Sequence, residues 1–271
     1  MAVSSIAIKY FSVLRTNWIQ ALEYRANALV GVLAIFSGLF IEYQIWDLIF
    51  KAKGYTTVKN FEFNELIMFI FLSIIIGQLK SSWHSSGEMI RAIRTGEINK
   101  YLIRPISYFW YHFMMFIGFN SLYYIVYSII LFGFTIIFKG MIFHTLASIL
   151  CFILALVLSI YLSYCIYFIM VCFAFWFGEV RSLVVSYNLA MLVLSGQYVP
   201  IRFFPDYILN IINWTPIRYL VDFPVSIATG ILPIEEWLSG LLMATLWCFV
   251  LSICSAIIYK LGIKDYEAYG S

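Results

Sequence analysis

Charged residues are scarce in this sequence. Asp, Glu, Lys and Arg make up 11% of its 271 residues, whereas soluble domains carry about 25%. Hydrophobic residues make up 63% of the chain, and aromatic residues alone make up 20%. Because a chain this apolar cannot fold in water, the composition excludes a soluble protein. It predicts a membrane protein that crosses the bilayer several times.

The signatures of metal, nucleotide and catalytic sites are also missing. All five cysteines lie within apolar runs, and none belongs to a CxxC or Cys/His pattern. The sequence contains no GxxxxGK(S/T) loop, no GxGxxG after a strand and no GxSxG motif. His84, His112 and His144 stand apart from one another. We therefore expect no metal, no cofactor and no catalytic residue in this chain.

Six apolar runs predict membrane-spanning helices, which need about 20 residues each. The expected fold class is an all-α polytopic membrane protein whose single domain covers residues 1–271. The predicted spans are residues 26–49, 65–82, 108–138, 144–177, 183–198 and 237–261. The fifth run is slightly short for a full crossing, and residues 51–63 read as a polar loop without regular patterning.

Residues 1–20 predict an amphipathic helix that lies in the membrane interface. Apolar residues recur there at helical spacing, for example at Val3, Ile6, Tyr10 and Leu14, with polar residues between them. A cleaved signal peptide would instead show a continuous apolar core followed by a cleavage site. The pattern therefore favours the interfacial helix over a signal peptide.

The fourth predicted span carries small residues at every fourth position. They are Ala147, Cys151, Ala155, Ser159 and Ser163. Small residues at this spacing let the backbone of a neighbouring helix approach closely. The neighbour can belong to the same subunit or to a second one, and the spacing does not distinguish the two.

A polar, basic stretch at residues 84–105 separates the second and third predicted spans. Its basic residues outnumber its acidic ones, while Met89, Ile90 and Ile93 fall at helical spacing. Gly96 interrupts this pattern, Ile98 and Leu102 resume it, and Pro105 ends it. We interpret the stretch as a short amphipathic helix presented to another protein; the alternative is a solvated basic loop.

Five of the six prolines follow the fifth predicted span, within residues 199–235. They separate two apolar pieces, residues 207–214 and 219–228, and neither piece is long enough to span. Helix breaks at membrane depth persist only where protein shields them or where they line a wet cavity. We expect a re-entrant segment with Arg202, Asp206, Arg218 and Asp222 at its polar edge.

The basic residues predict that both termini are cytosolic. In that orientation, eleven of the 17 Lys and Arg residues flank the cytosolic ends and six flank the external ends. The cytosolic set is Lys9, Arg15, Arg25, Lys80, Arg91, Arg94, Lys100, Arg104, Arg181, Lys260 and Lys264. The external set is Lys51, Lys53, Lys59, Lys139, Arg202 and Arg218.

Two local strings complete a family resemblance. The first runs from Gly96-Glu97-Ile98 through Leu102 to Arg104-Pro105-Ile106. The second is Gly196-Gln197-Tyr198-Val199-Pro200 followed by Phe203-Phe204-Pro205, with Trp214-Thr215-Pro216 and Pro224 before Gly230 fitting the same pattern. With the interfacial helix, the basic island and the re-entrant segment, the chain resembles the membrane subunit of type-2 ABC exporters. More narrowly, it is similar to a branch of small six-span bacterial permeases.

The resemblance implies an exporter subunit of the bacterial inner membrane that dimerises with an identical or similar permease. It also implies two separate ATPase subunits, which would bind ATP and Mg²⁺, besides membrane lipids; no nucleic-acid partner is expected. In the family, the island after the second span holds a coupling helix that contacts the ATPase. Carried over by position, the coupling residues are Glu88, Met89, Ile90, Arg91, Arg94, Gly96, Glu97, Arg104 and Pro105. The outer gate would comprise Gly196, Pro200, Phe203, Phe204, Pro205, Pro216 and Pro224.

Composition also constrains the cargo and the competing functions. A pathway rich in Phe, Tyr and Trp with few buried charges suits a lipid, a peptide or a drug-like metabolite better than an inorganic ion. An ion-coupled secondary transporter is the first alternative, but the sequence shows no internal repeat. An intramembrane lipid-modifying enzyme is less favoured because no catalytic residues cluster, and a membrane scaffold also remains open.

Overall fold

The computed structural model is almost entirely helical. It describes residues 2–23, 25–59, 61–104, 106–138 and 142–266, and helices account for 81% of the chain. Within these described ranges, four helices are long and apolar enough to cross a membrane: Val30–Ala52, Tyr108–Ile137, Leu146–Phe177 and Glu235–Lys264. Two shorter apolar helices, Phe63–Leu79 and Arg181–Leu194, stand where the second and fifth spans are expected.

The first half of the described chain contains six helices and a small hairpin. In order they are α1 (Ala2–Glu23), α2 (Arg25–Lys53), strands β1 (Thr57–Val58) and β2 (Phe61–Glu62), α3 (Phe63–Leu79), α4 (Trp83–Arg94), α5 (Asn99–Leu102) and α6 (Tyr108–Ile137). The hairpin corrects the expectation of an unpatterned loop at residues 51–63. Lys59 has a φ of 50°, as tight hairpin turns require, and the buried Phe61 anchors the hairpin on the Phe69 and Phe203 rings.

The second half contains six helices and two 3₁₀ turns. They are α7 (Leu146–Cys172), α8 (Ala174–Phe177), α9 (Arg181–Leu194), a turn at Ile201–Phe203, α10 (Asp206–Trp214), a turn at Arg218–Leu220, α11 (Asp222–Ala228) and α12 (Glu235–Lys264). The fourth predicted span is thus continuous from Leu146 to Phe177, with one turn residue, Phe173, between α7 and α8. The expected turn at 139–140 lies outside the described residues.

Helix α3 forms the centre of the molecule. From Leu66 to Leu79, only Ile67 and Gln78 escape full burial. A helix that is apolar on every side is buried on every side, and α3 packs against α2, α6 and α11. Protein surrounds α3 in place of lipid, so its length of 17 residues need not match the thickness of the bilayer.

Helices α1 and α2 lie at the periphery. Among the side chains of α2 that the structure describes, only Ile35, Trp46 and Phe50 are buried. Helix α1 packs along α6, where a Cβ on Gly118 would stand 2.6 Å from the Leu14 carbonyl oxygen. The contact therefore depends on a residue without a side chain, and it places α1 against a long apolar helix.

Most of the small residues in the α7 stripe pack against other elements of the same chain. Ala155, Ser159 and Ser163 are buried, Cys151 is half-buried and Ala147 is exposed. The Ser159 hydroxyl donates to the Leu220 carbonyl, and the Ser163 hydroxyl donates to the Lys80 carbonyl. Helices α11 and α12 pack on α7. The inner part of this stripe thus serves packing within one subunit.

Candidate functional site

Helix α4 is amphipathic, and its apolar side is buried. Met89, Ile90 and Ile93 are each at most 2% exposed, and they join a cluster with Phe168, Cys172 and other residues at the end of α7. The same cluster includes Val180 and Val184, at the beginning of α9. Helix α4 is therefore fixed to the body of the protein along one side, as its helical spacing predicts.

The opposite side of α4 carries exposed charge. Arg91 and Arg94 are both exposed, and Arg94 forms an ion pair with Glu179. A cavity of about 320 Å³ lies between α4 and the start of α9. It is lined by Ser86, Gly87, Glu88, Ile90, Arg91, Arg181 and Val184. The guanidinium groups of Arg91 and Arg181 thus border an open groove beside α4.

The segment after α4 turns sharply and then forms the short helix α5. Gly96 has a φ of 78°, a conformation that favours glycine, and the Ile98 amide donates back to the Ala92 carbonyl. Ile98 is buried, but Leu102 is 43% exposed, which contradicts its expected place on the apolar side. Arg104 is exposed, and Pro105 lies outside the described residues.

Glu97 points to solvent and pairs with a neighbour on its own segment. Its carboxylate lies 2.9 Å from the ammonium nitrogen of Lys100. This hydrogen bond and the positive charge of Lys100 lower the pKa of the Glu97 carboxyl. Because both side chains are at least 40% exposed, the pair adds little stability.

The proline-rich segment is a series of short helices packed against the end of the bundle that carries the hairpin. Gly196 has a φ of 85° and lies against Asp222, and Pro200 is buried at the start of a 3₁₀ turn. Phe203 contacts the rings of Trp46 and Phe61, at 5.4 and 5.7 Å between centroids. Of the other predicted gate residues, Phe204 and Pro216 are half-buried, Pro205 is exposed and Pro224 is buried in α11.

This broken segment reaches the middle of the long helices. Ser159, which bonds to the Leu220 carbonyl, is the central residue of α7. The polar residues around the breaks are buried as well, including Ser195, Gln197 and Ser226. Helix ends at this depth are tolerated because protein, rather than lipid, surrounds them.

The sequence did not reveal the environment of Asp222. We expected it at a polar edge, but it is 2% exposed, and its amide donates to the Ser195 carbonyl. Burial raises the pKa of the Asp222 carboxyl to about 6, against the opposing influence of Arg218 and Arg202. The Arg218 Nε lies 4.0 Å from Asp222 Oδ2. The spacing of four between Arg218 and Asp222 was the available signal for a pair.

An apolar cavity of about 440 Å³ lies between α3, α6 and α7. Its walls include Leu72, Ile76, Leu131 and Phe152, and Phe132 and Ile153 on its border are more than half exposed. The cavity therefore opens towards the apolar outer surface of α6 and α7. It can accept a hydrocarbon group.

The family model of ABC-2 family transporter proteins matches residues 36–270. The chain belongs to the ABC-2 transporter family. The match begins within α2 and includes α4, the broken segment and α12, so it covers both candidate sites and leaves out α1. A comparison with curated proteins gave no match. Membership makes the chain a permease of an ABC transport system, and it indicates that ATP hydrolysis belongs to a separate partner.

Proposed function

We propose that this ABC-2 permease is the membrane subunit of an ATP-driven exporter in a bacterial inner membrane. Two copies, or this chain and a similar permease, would form the translocation path and bind two ATPase subunits that carry ATP and Mg²⁺. Six spans would cross the membrane, with α3 and α9 as the two short ones and both termini in the cytosol. The cargo would be amphiphilic or hydrophobic.

Helix α4 is the observation that carries this proposal. A partner that moves can transmit force only through an element that is rigid and makes different contacts in two states. The buried side of α4 joins it to α7 and α9, while Arg91, Glu88 and Arg181 remain at an accessible groove. This arrangement supports the role of α4 as the coupling helix, with Gly96 and Glu97 framing the contact and Arg104 at its far end.

The broken segment supports an outer gate. This segment reaches the middle of α7, and several short helices begin and end within it. Helix ends supply the backbone rotation that hinge motions need. We assign the gate to Gly196, Pro200 and the Phe203–Pro205 stretch, with Pro216 and Pro224 at the later breaks.

The cavity between α3, α6 and α7 supports a cargo with a hydrocarbon part. Its walls are apolar, and it opens to the surface that lipid would cover. The charge distribution supports the orientation, with eleven basic residues at the cytosolic ends against six at the external ends. Lys80, one of the eleven, is buried.

The proposal is tested by purifying the tagged chain from its native host in a mild detergent. A stoichiometric ATPase should accompany it, and the eluate should hydrolyse ATP. Arg91→Glu should weaken this association at least tenfold, because it places a carboxylate at the rim of the groove. Lys9→Glu, an equal charge change on the exposed side of α1, should leave the association unchanged. A wild-type chain that purifies without an ATPase contradicts the proposal.

A further inference from the structure

The C-terminal end of α4 is bound by two elements distant in sequence. The Tyr266 hydroxyl donates to the Ile93 carbonyl at 2.8 Å, and the Arg94 guanidinium pairs with Glu179, just after α8. The Trp176 indole nitrogen donates to the Asp265 carboxylate at 3.0 Å, which connects α8 to the residue following α12. These three bonds form a closed set among α4, α8 and the end of α12.

Ring contacts between α8 and the end of α12 reinforce the same junction. The Phe175 ring lies edge-on to Tyr266 at 5.5 Å and to Tyr259 at 6.1 Å between centroids. A Cβ on Gly262 would stand 2.2 Å from Phe175 Cδ2, so α12 and α8 meet where no side chain fits. The end of α12 therefore lies directly on α8, and α8 lies directly beside α4.

The contact at Ile93 has a specific physical role. Carbonyl groups in the last turn of a helix have no full set of partners within the helix, and a hydroxyl can satisfy one of them. Tyr266 supplies that hydroxyl at 2.8 Å, and the same Ile93 carbonyl accepts a longer bond, 3.4 Å, from the Gly96 amide. Arg94 pairs with Glu179 on the α8–α9 connection and borders a cavity of about 460 Å³ beside α8 and the end of α12. Arg91 instead borders the groove between α4 and α9.

We propose that Arg94, Glu179, Asp265 and Tyr266 form a brace that positions α4. The inference rests on the proposed coupling role of α4 and adds the route of the force. A displacement of α4 passes through the brace to the ends of α7 and α12 together. Arg94 is then a positioning residue, and the partner ATPase is contacted through Arg91 and its groove.

A charge exchange tests the ion pair. The Arg94 and Glu179 side chains are 50% and 47% exposed, so their ion pair is weak. In the purified complex, Arg94→Glu or Glu179→Arg alone should therefore lower the ATPase stimulation by no more than about twofold to fivefold, with the ATPase still bound. The double variant Arg94→Glu/Glu179→Arg should recover most of it, which a merely damaged fold would not do. The control is Asp47→Lys, Lys51→Asp and their double variant, because that ion pair lies within α2 and outside the proposed coupling region. These controls should stimulate as wild type does.

Removal of the Tyr266 hydroxyl tests the role of its hydrogen bond to Ile93. Tyr266→Phe keeps the ring against Phe175 but loses the bond to Ile93, so stimulation should fall about fivefold. Deletion of residues 265–271 should lower it at least as much. Deletion of residues 267–271 alone leaves Asp265 and Tyr266 in place and should lower the stimulation less than the longer deletion does.

A distance measurement on the permease alone separates this inference from the proposed function. Spin labels at Asn99→Cys on α5 and Lys260→Cys on α12, both exposed positions, report how firmly the two elements are held. The unsubstituted protein, with its five native cysteines, gives the labelling blank. Tyr266→Phe and Arg94→Glu should each broaden the distance distribution. A distribution unchanged in both variants overturns the brace, whether or not an ATPase binds.

Discussion

Asp222 shows how burial decides the behaviour of a single carboxyl. Two arginines near it favour the charged form, but removal from water disfavours that form more, and the pKa rises to about 6. An unfolded aspartate has a pKa of about 3.9. At pH values between these two pKa values, the Asp222 carboxyl is protonated in the folded protein and deprotonated in the unfolded chain.

The first prediction concerns this proton. As pH rises from about 4 to 6, the free energy of unfolding should fall by up to about 3 kcal/mol through Asp222, and the effect should be level above about pH 7. Asp222→Asn should remove this part of the pH dependence. Thermal unfolding in detergent at pH 4.5 and pH 7.5 measures it, with Asp206→Asn, at an exposed position, as the control. Equal pH dependence in wild type and Asp222→Asn contradicts the assignment.

A second prediction concerns the hydroxyl that binds the broken segment to α7. Ser159→Ala leaves the buried Leu220 carbonyl without this donor and should lower the free energy of unfolding by about 1–2 kcal/mol. Ser37→Ala is the control, since Ser37 is exposed and its hydroxyl donates only to Leu33 of its own helix. The control should change stability by less than about 0.5 kcal/mol in the same unfolding assay. Equal losses of stability in the two variants would show that the buried hydrogen bond contributes no more than the exposed one.

Individual side chains were the hardest part to predict from the sequence. Periodicity placed Met89, Ile90 and Ile93 on the apolar side of α4, where they are buried. The same reasoning failed for Leu102, because α5 is a new helix after the Gly96 turn and does not continue the phase of α4. It also missed the burial of Lys80 and Asp222, since neither depends on neighbours in sequence.

At the scale of whole elements, the contact of α1 with α6 depends on one glycine. A Cβ at position 118 would meet the Leu14 carbonyl at 2.6 Å and Asn17 Cβ at 2.9 Å. Both atoms belong to α1, and a backbone carbonyl cannot rotate away as the end of a side chain can. Helix α1 must therefore move if residue 118 gains a side chain.

The third prediction compares two glycines of α6. Gly118→Ala should lower the free energy of unfolding by about 1–3 kcal/mol through overpacking, which exceeds the gain of about 1 kcal/mol in helix propensity. Gly133→Ala meets nothing within 4 Å and should be neutral or stabilising. Thermal unfolding of both variants gives the comparison, and limited proteolysis of α1 locates the change. A Gly118→Ala protein as stable as the Gly133→Ala protein would refute the close contact.

The helices and the proline breaks were predicted better than the hairpin. The apolar runs and prolines located α10 and α11 to within a residue or a short turn, because proline and run length act locally. The β1–β2 hairpin was missed. No proline marks it, and its Phe61 packs against the distant Phe69 and Phe203 rings.

At the scale of the molecule, the two candidate sites lie at different depths of one bundle. Helix α4 packs at the end where α7 finishes and α12 terminates, while the broken segment reaches from the opposite end to the centre of α7. Composition predicted a polytopic membrane protein, and the family resemblance implied a permease. The contacts that connect α4 to α12 were not predicted, because they join residues 173 positions apart.

The central claim is that α4 and its neighbours meet a partner on the cytosolic side. A cysteine at Lys100, an exposed position beside α4, reports this directly when a membrane-impermeant maleimide is added to intact cells. Cells with the native cysteines alone give the background, and Glu235→Cys, exposed at the start of α12, is the external control. The account predicts labelling of Lys100→Cys only in inside-out vesicles and of Glu235→Cys in intact cells. Labelling of Lys100→Cys in intact cells would contradict it.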